Sequence, residues 1–415
     1  MTIFSGQTYL QKHSFCKQVL KNVPKKGLKV VIVIPCFAEE GLLDTLNSLE
    51  KNPKAEFETE IIIVLNAGEG ASEASLILNR KTQLEFEKWK EKGKKNHTYY
   101  LLVKEGLPKK HAGVGLARKI GMDEAVSRFE LAEEQEGIIL CLDADSIVKE
   151  NYIEQVHQHF RDNPKSEACS IYFEHPLSGN GFEIDIYRGI IYYELFLRYY
   201  IEGLRLAGHP YAFHTIGSSM AVRSLAYEKQ NGMNRRKAGE DFYFLMKFIV
   251  DGKLSECNTT TVYPSPRPAD HVPFGTGKAI MKWMEGDRKN YPAYDPRIFD
   301  ILKSFIDQIP SFYRGKAPKL EREIEDFLNE QEFQAKLEEM LKHVRDETSF
   351  MKRFFKWFNG LKVLKLVHYL QENGYPDQPI EGVAEEVLRK RYVEVESEFS
   401  AKELLLIYRE KQRQN

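Results

Sequence analysis

The chain has 415 residues, with 60 Lys+Arg against 61 Asp+Glu and a formal net charge of −1. Hydrophobic residues make up 42% and charged residues 29%, which excludes a disordered or collagen-like chain; the even charge balance excludes a dedicated nucleic-acid binder with its strongly basic domain. Five cysteines, never spaced C-x-x-C, exclude a disulfide framework or zinc ribbon and fit a reducing compartment.

Residues 1–27 lack the uninterrupted apolar stretch of a secretory leader and read as a helical extension ending in Val23-Pro24-Lys25-Lys26-Gly27. Leu28–Pro35 is then a continuous β-branched run closed by Pro, the pattern of a parallel strand buried on both faces. Helical patterning over Glu39–Glu50 leads to a second buried strand, Glu60–Leu65. A charged helix over 72–93, a strand over Tyr99–Val103, a helix over Val114–Arg128, a strand over Gly137–Leu142 and a helix over Asn151–Phe160 follow. Strands alternating with helices predict an α/β, Rossmann-like fold with a mostly parallel sheet, which binds ligands at the carboxyl ends of its strands.

Ile184–Leu206 is rich in Tyr, Ile and Leu but carries Asp185, Arg188, Glu194, Arg198, Glu202 and Arg205, so it reads as a buried or half-buried helix rather than a lipid-exposed one. No stretch is apolar enough to span a bilayer, and a cytoplasmic protein is expected. From about residue 300 the strand runs disappear; Ile301–Asp307, Pro318–Arg345, Phe350–Gln371, Ile380–Arg391 and Ala401–Gln412 read as helices. The expected division is an extension over 1–27, an α/β catalytic unit over 28–295 and a helical C-terminal region over 296–415. Within that region 349–370 is basic and aromatic, without an acidic residue. Packing of Phe354, Phe358, Leu361 and Val367 is the first expectation there, and peripheral contact with the inner face of a membrane the second.

The fourth strand runs into Asp143-Ala144-Asp145-Ser146. Burying such carboxylates unpaired is costly, so they either face a cleft and share Mg²⁺ or Mn²⁺, or form a solvated turn capping the next helix. Strand one ends in Pro35-Cys36-Phe37-Ala38-Glu39-Glu40 and strand two in Asn66-Ala67-Gly68, where the Asn66 amide reaches a base or ribose or is an ordinary turn residue. After strand three, the cationic loop through Lys109, Lys110 and His111 opens a helix at Gly113-Val114-Gly115, suited to an anion. It is not the dinucleotide fingerprint, because Arg118 stands at the third glycine. Gly239-Glu240-Asp241-Phe242 heads another helical run; its carboxylates either favour the helix dipole or accept a proton from an incoming hydroxyl. His214–Arg223 is a small, polar stretch suited to lining a cleft, and Pro264–Lys278 is a proline-spaced loop whose Arg267, His271 and Lys278 suit phosphate or metal.

In this order, VVIVIPCFAEE, IIIVLNAG, HAGVGLARKIG, CLDADS and AGEDFYFL resemble the GT-A glycosyltransferases, most closely glycosyltransferase family 2, over roughly residues 28–285. The resemblance implies a GT-A fold and a nucleotide-sugar donor contacted by Pro35, Phe37, Glu39, Asn66, Lys109, His111, Arg118, Asp143, Arg267 and Lys278. It implies a divalent cation (Mn²⁺ or Mg²⁺) on Asp145 and Asp143, with His271 as a further ligand. Asp241 corresponds to the base of an inverting transfer, with Glu240 beside it at a saccharide, lipid-linked or small-molecule acceptor. Asn66 stands where the family commonly has an Asp that pairs with uracil, and a histidine at the place of His271 also occurs in some retaining relatives. The competing readings are a sugar-nucleotide pyrophosphorylase-like nucleotidyltransferase and a non-catalytic sugar-binding scaffold. The first lacks its Gly- and Arg-rich loop after strand one, and the second has no need of Asp143, Asp145 and Asp241.

Overall fold

The computed structural model describes residues 6–269, 275–392 and 399–414, which gather into two compact units. Among them the first unit holds 6–176 and 215–266, and the second holds 177–214, 267–269 and the described chain from 275 onward.

The first unit begins with α1 (Gly6–His13), β1 (Leu28–Cys36), α2 (Leu42–Glu50), β2 (Glu58–Gly68), α3 (Glu73–Glu91), β3 (Thr98–Leu107) and α4 (Val114–Leu131). It continues through β4 (Ile138–Cys141), the short β5 (Ile147–Val148), α5 (Tyr152–Asp162) and β6 (Ala168–Phe173). After α6 (Ile184–Leu206), which belongs to the second unit, it resumes with β7 (Met220–Arg223), α7 (Ser224–Lys229), α8 (Glu240–Val250) and β8 (Leu254–Tyr263). One sheet runs in the order β3-β2-β1-β4-β7-β6-β8-β5. Its β3-β2-β1-β4 half is all parallel, whereas β7 is antiparallel to both β4 and β6. The fold is therefore α/β on a mostly parallel sheet.

Val30–Ile34 at the centre of β1 have no exposed surface, the condition under which an unbroken β-branched run becomes an inner strand. Val33 pairs with Ile62 of β2 on one side and Cys141 of β4 on the other. This fixed register brings the carboxyl ends of the parallel strands to one edge, where Cys36, Gly68, Leu107 and Cys141 hand over to loops. The N-terminal extension is stitched onto α4: Gly6 N–H donates to Glu130 at 2.8 Å and Tyr9 OH to Asp123 at 2.7 Å. Val19 and Leu20 N–H both donate to Glu124, and Arg128 donates to the Asn22 carbonyl.

The second unit contains α6, α9 (Thr276–Glu285), β9 (Pro292–Ala293), α10 (Arg297–Tyr313), α11 (Arg322–Glu330), α12 (Phe333–Lys342), α13 (Glu347–Trp357) and α14 (Gly360–Glu372). It ends with β10 (Gln378–Pro379), α15 (Ile380–Tyr392) and α16 (Ala401–Gln414). The compact division thus differs from a boundary at 295/296: Leu195, Tyr199 and Leu204 of α6 lie in one apolar cluster with Phe305, Leu366 and Leu404 of the C-terminal helices. The helix expected over Pro318–Arg345 breaks at Glu332, whose φ is 51°. That over Phe350–Gln371 breaks before Asn359, whose side chain accepts the Leu361 and Lys362 N–H groups and starts a new helix. Phe354, Phe358 and Val367 are buried and Leu361 half-buried, while Lys352, Arg353, Lys356 and Lys365 are exposed.

Of the charges of α6, Glu194, Arg198 and Glu202 are buried and paired, whereas Arg188 is exposed. Glu194, 0% exposed, accepts from Arg198 Nε at 2.8 Å and from Arg409 Nη2 at 2.6 Å. Gln412 bridges Arg198 and Glu202, and Arg391 closes on Glu202. Among the described residues no helix is long and apolar enough to cross a membrane.

Candidate active site

β4 lies between β1 and β7, and Leu142 N–H still reaches the Val33 carbonyl at 3.1 Å. The chain then turns sharply, Ser146 N–H bonding the Asp143 carbonyl and Thr45 Oγ1 the Ala144 carbonyl. With its backbone so occupied, the turn leaves the Asp143 and Asp145 side chains half-buried at the sheet edge.

Asp143 accepts from Arg118 Nη2, and Arg118 Nη1 donates to Glu240 Oε1. Arg118 is 3% exposed and Glu240 2%, so the first turn of α4, the end of β4 and the start of α8 are joined by one enclosed guanidinium. Its Nε has no hydrogen-bond partner among the described residues. An ideal Cβ at Gly217 would stand 2.4 Å from Nη1, so a side chain there would push the guanidinium away from its carboxylates. Arg118, expected to add charge at a diphosphate, has both Nη groups engaged by carboxylates instead.

Asp241, next along α8, accepts its neighbour Phe242 N–H at 2.7 Å and the Gly217 N–H. Burial pushes the Glu240 carboxyl up, to about 7, against the pull of Arg118, and raises Asp241 in the same way. Acids held above the ordinary carboxylate range beside a fixed cation suit proton transfer near neutral pH.

Across the same edge, Glu39 Oε1 accepts Gly41 N–H at 2.7 Å, and Gly41 lies against the Asp145 backbone. Pro35 is buried in β1 and Phe37 is 36% exposed at its tip. Asn66 is buried, its carbonyl bonded by Asn79 Nδ2 at 3.1 Å, while Asn79 Oδ1 accepts Ala38 N–H at 2.8 Å. Asn79 thus ties the ends of β1 and β2 together, a role no local pattern in α3 announced. Lys109 is exposed and His111 half-buried in the loop entering α4. Arg267 and Lys278 belong to the second unit, and His271 lies outside the described residues.

The structure therefore groups Arg118, Asp143, Glu240 and Asp241, with Asp145 and Glu39 along the same edge of the first unit. Among the described residues no group of three or more His, Cys, Asp or Glu stands close enough to hold a metal alone. The chemistry of Asp143 and Asp145 still fits a hard divalent ion that shares its remaining positions with phosphate and water. Two features were overlooked in the sequence. Gly217 sat inside a stretch recognised only as small and polar, and the basic run Arg235-Arg236-Lys237, just before Gly239-Glu240-Asp241, was visible as a cluster of charge.

No protein-family model and no curated protein matches the chain. Among solved structures it is similar to S. aureus TarS residues 1–349 in complex with UDP-GlcNAc, at 15% identity and a TM-score of 0.39, covering 93% of this chain and 92% of that one. It is also similar to M. tuberculosis glucosyl-3-phosphoglycerate synthase, at 10% identity and a TM-score of 0.35, covering 62% of this chain and 78% of that one.

Proposed function

We propose that the chain is a glycosyltransferase that moves a sugar from a nucleotide-diphosphate sugar to an acceptor hydroxyl with inversion. The observation that carries this reading is the Arg118 bridge. Two motifs of the resemblance, CLDADS and AGEDFYFL, are far apart in sequence, yet Asp143 of one and Glu240 of the other meet on Arg118 of a third, HAGVGLARKIG. They do so at the carboxyl edge of parallel strands, where such sheets take their ligands.

In this reading Asp241 accepts the proton of the acceptor hydroxyl. The hydroxyl oxygen bonds to the anomeric carbon as the bond from that carbon to the diphosphate breaks, and the diphosphate leaves with the electron pair. Burial leaves Asp241 more basic than a solvated carboxylate, which favours this transfer. Arg118 holds Glu240 and Asp143 in place, and Lys109 and His111 face the leaving group from the loop before α4. Asp145, with Asp143, would hold Mg²⁺ or Mn²⁺; when bound, the ion offsets the charge of the departing diphosphate.

Asp241→Asn is expected to lower transfer at least about a thousandfold while nucleotide-sugar affinity, read by calorimetry with Mn²⁺, stays within about threefold. Normal transfer per bound donor in that variant would refute the assigned base. Release of pyrophosphate rather than nucleoside diphosphate by the intact chain would favour nucleotidyl transfer.

A further inference from the structure

Immediately before Gly239, the residues Arg235, Arg236 and Lys237 form an exposed basic run. Their loop is held tightly. An ideal Cβ at Gly115 would stand 2.2 Å from the Arg236 carbonyl oxygen, so this backbone presses directly on the first turn of α4. Asn234 Nδ2 donates to the Glu240 carbonyl at 2.9 Å, fixing the loop to the start of α8. The Arg236 guanidinium lies 3.8 Å over the Tyr243 ring, one turn into the same helix, whereas that of Arg235 lies 5.8 Å over the Phe15 ring of the N-terminal extension. Lys109 and Lys110 are exposed in the loop that enters α4, whose Gly113 lies against the Lys237 backbone.

Among the described residues none of these five cations has a carboxylate within 4.0 Å. Other cations of α4 behave differently: Lys119 is paired with Asp123 and Arg128 with Glu60. Like charges gathered without partners repel one another, and an anion seated among them relieves that cost. The donor diphosphate is one such anion, but the divalent ion proposed at Asp145 matches its charge, and Lys109 stands on the donor's side. The run at 235–237 lies instead on the chain leading into Asp241, where an acceptor hydroxyl has to arrive. A guanidinium held flat on Tyr243 is already ordered and presents a fork of N–H groups suited to phosphate oxygens.

We infer that Arg236 and Lys237 bind a phosphate group carried by the acceptor, so that the substrate class is a phosphorylated hydroxyl compound. The inference rests on the glycosyltransfer reading above. Its test uses the full chain with a panel of nucleotide sugars and Mn²⁺, following release of nucleoside diphosphate. The probes are glycerol 3-phosphate as a monoester, glycerophosphoglycerol as a diester, and glycerol without phosphate. Release is expected to rise with a phosphorylated probe and not with glycerol, and the two esters separate a terminal phosphate from a bridging one. In the exposed double variant Arg236→Gln, Lys237→Gln, the probe KM rises at least about tenfold while the donor KM changes less than about twofold. Added NaCl raises the probe KM of the natural chain and leaves that of the variant nearly flat. Equal stimulation by glycerol, a donor KM raised by the same factor, or slow donor hydrolysis that no phosphorylated probe stimulates would each overturn the inference. Absence of any nucleoside diphosphate release from every donor would instead remove the transferase reading beneath it.

Discussion

Arg118 shows what a single enclosed side chain decides. It binds carboxylates 25 and 122 positions away in the chain, so its loss leaves two acids without their common partner. Arg118→Lys keeps the charge but replaces a planar fork by one ammonium that cannot serve both, and a destabilisation of about 3 kcal/mol is expected in urea unfolding. Adding Glu240→Gln should recover part of that cost; strictly additive effects would show that the two groups are not coupled. Asp143, Asp145 and Asp241 were legible because acids at strand and helix ends stand out locally. The bridge was not, because Arg118 in sequence is only a cation behind a glycine pair. Glu228, 5% exposed and with Oε2 unpartnered among the described residues, gives a second prediction at this scale. Burial, with Glu130 nearby, raises its carboxyl to about 7 from the ordinary 4.5, against Ser224 and Lys229. The native chain therefore holds this proton more tightly than the unfolded chain. Its contribution to stability is full below pH 4.5 and is lost as pH rises through about 7. Glu228→Gln should stabilise by on the order of 2 kcal/mol at pH 8 and not at pH 4.5, read as the difference in melting temperature between variant and natural chain at each pH.

Helix α4 connects the site to the N-terminal extension. Arg118 points from its first turn to Asp143 and Glu240, and one turn on Asp123 accepts from Tyr9 OH, from Tyr227 OH at 2.8 Å and from Phe15 N–H. Lys119, 5% exposed, also lies against Asp123. Asp123→Ala leaves a buried ammonium and two hydroxyls without their acceptor, and should cost about 3 kcal/mol. It should also free the strap, so that trypsin cuts at Lys12, Lys17 and Lys21 well before it cuts elsewhere. An unchanged digestion pattern would mean that Glu124, Arg128 and Glu130 hold the strap without Asp123. At this scale the sequence was most readable where burial on both faces demands continuous β-branched runs, as in β1 and β2. It was least readable at β6, β7 and β8. β7 has only four residues, and β8 (LSECNTTTVY) mixes polar and apolar side chains, so neither shows a clean period. Helix breaks at Glu332 and Asn359 escaped for the opposite reason: the helical pattern persists on both sides of a turn.

For the whole molecule, near-zero net charge conceals two ways of using ions. In the first unit, among the described residues, Lys109, Lys110, Arg236 and Lys237 in the loops before α4 and α8 have no carboxylate partner, whereas in the second Glu194, Arg198, Glu202, Arg409 and Gln412 are closed on one another inside a helical core. Buried ion pairs of that kind contribute little net stability when complete, and cost several kcal/mol when one partner is removed. Arg409→Met removes the Nε and Nη2 bonds from α16 to Glu194, whose carboxylate keeps its bond from Arg198. Because α6 and α16 depend on this contact while β1 and β2 are held by their own apolar core, the damage should be local. Native-state hydrogen exchange is expected to speed up about a hundredfold in the amides of α6 and α16, with protection in β1 and β2 unchanged. A uniform increase across both sets would show that the two cores open as one cooperative body, and that the energy of the Glu194 cluster is shared by the whole chain.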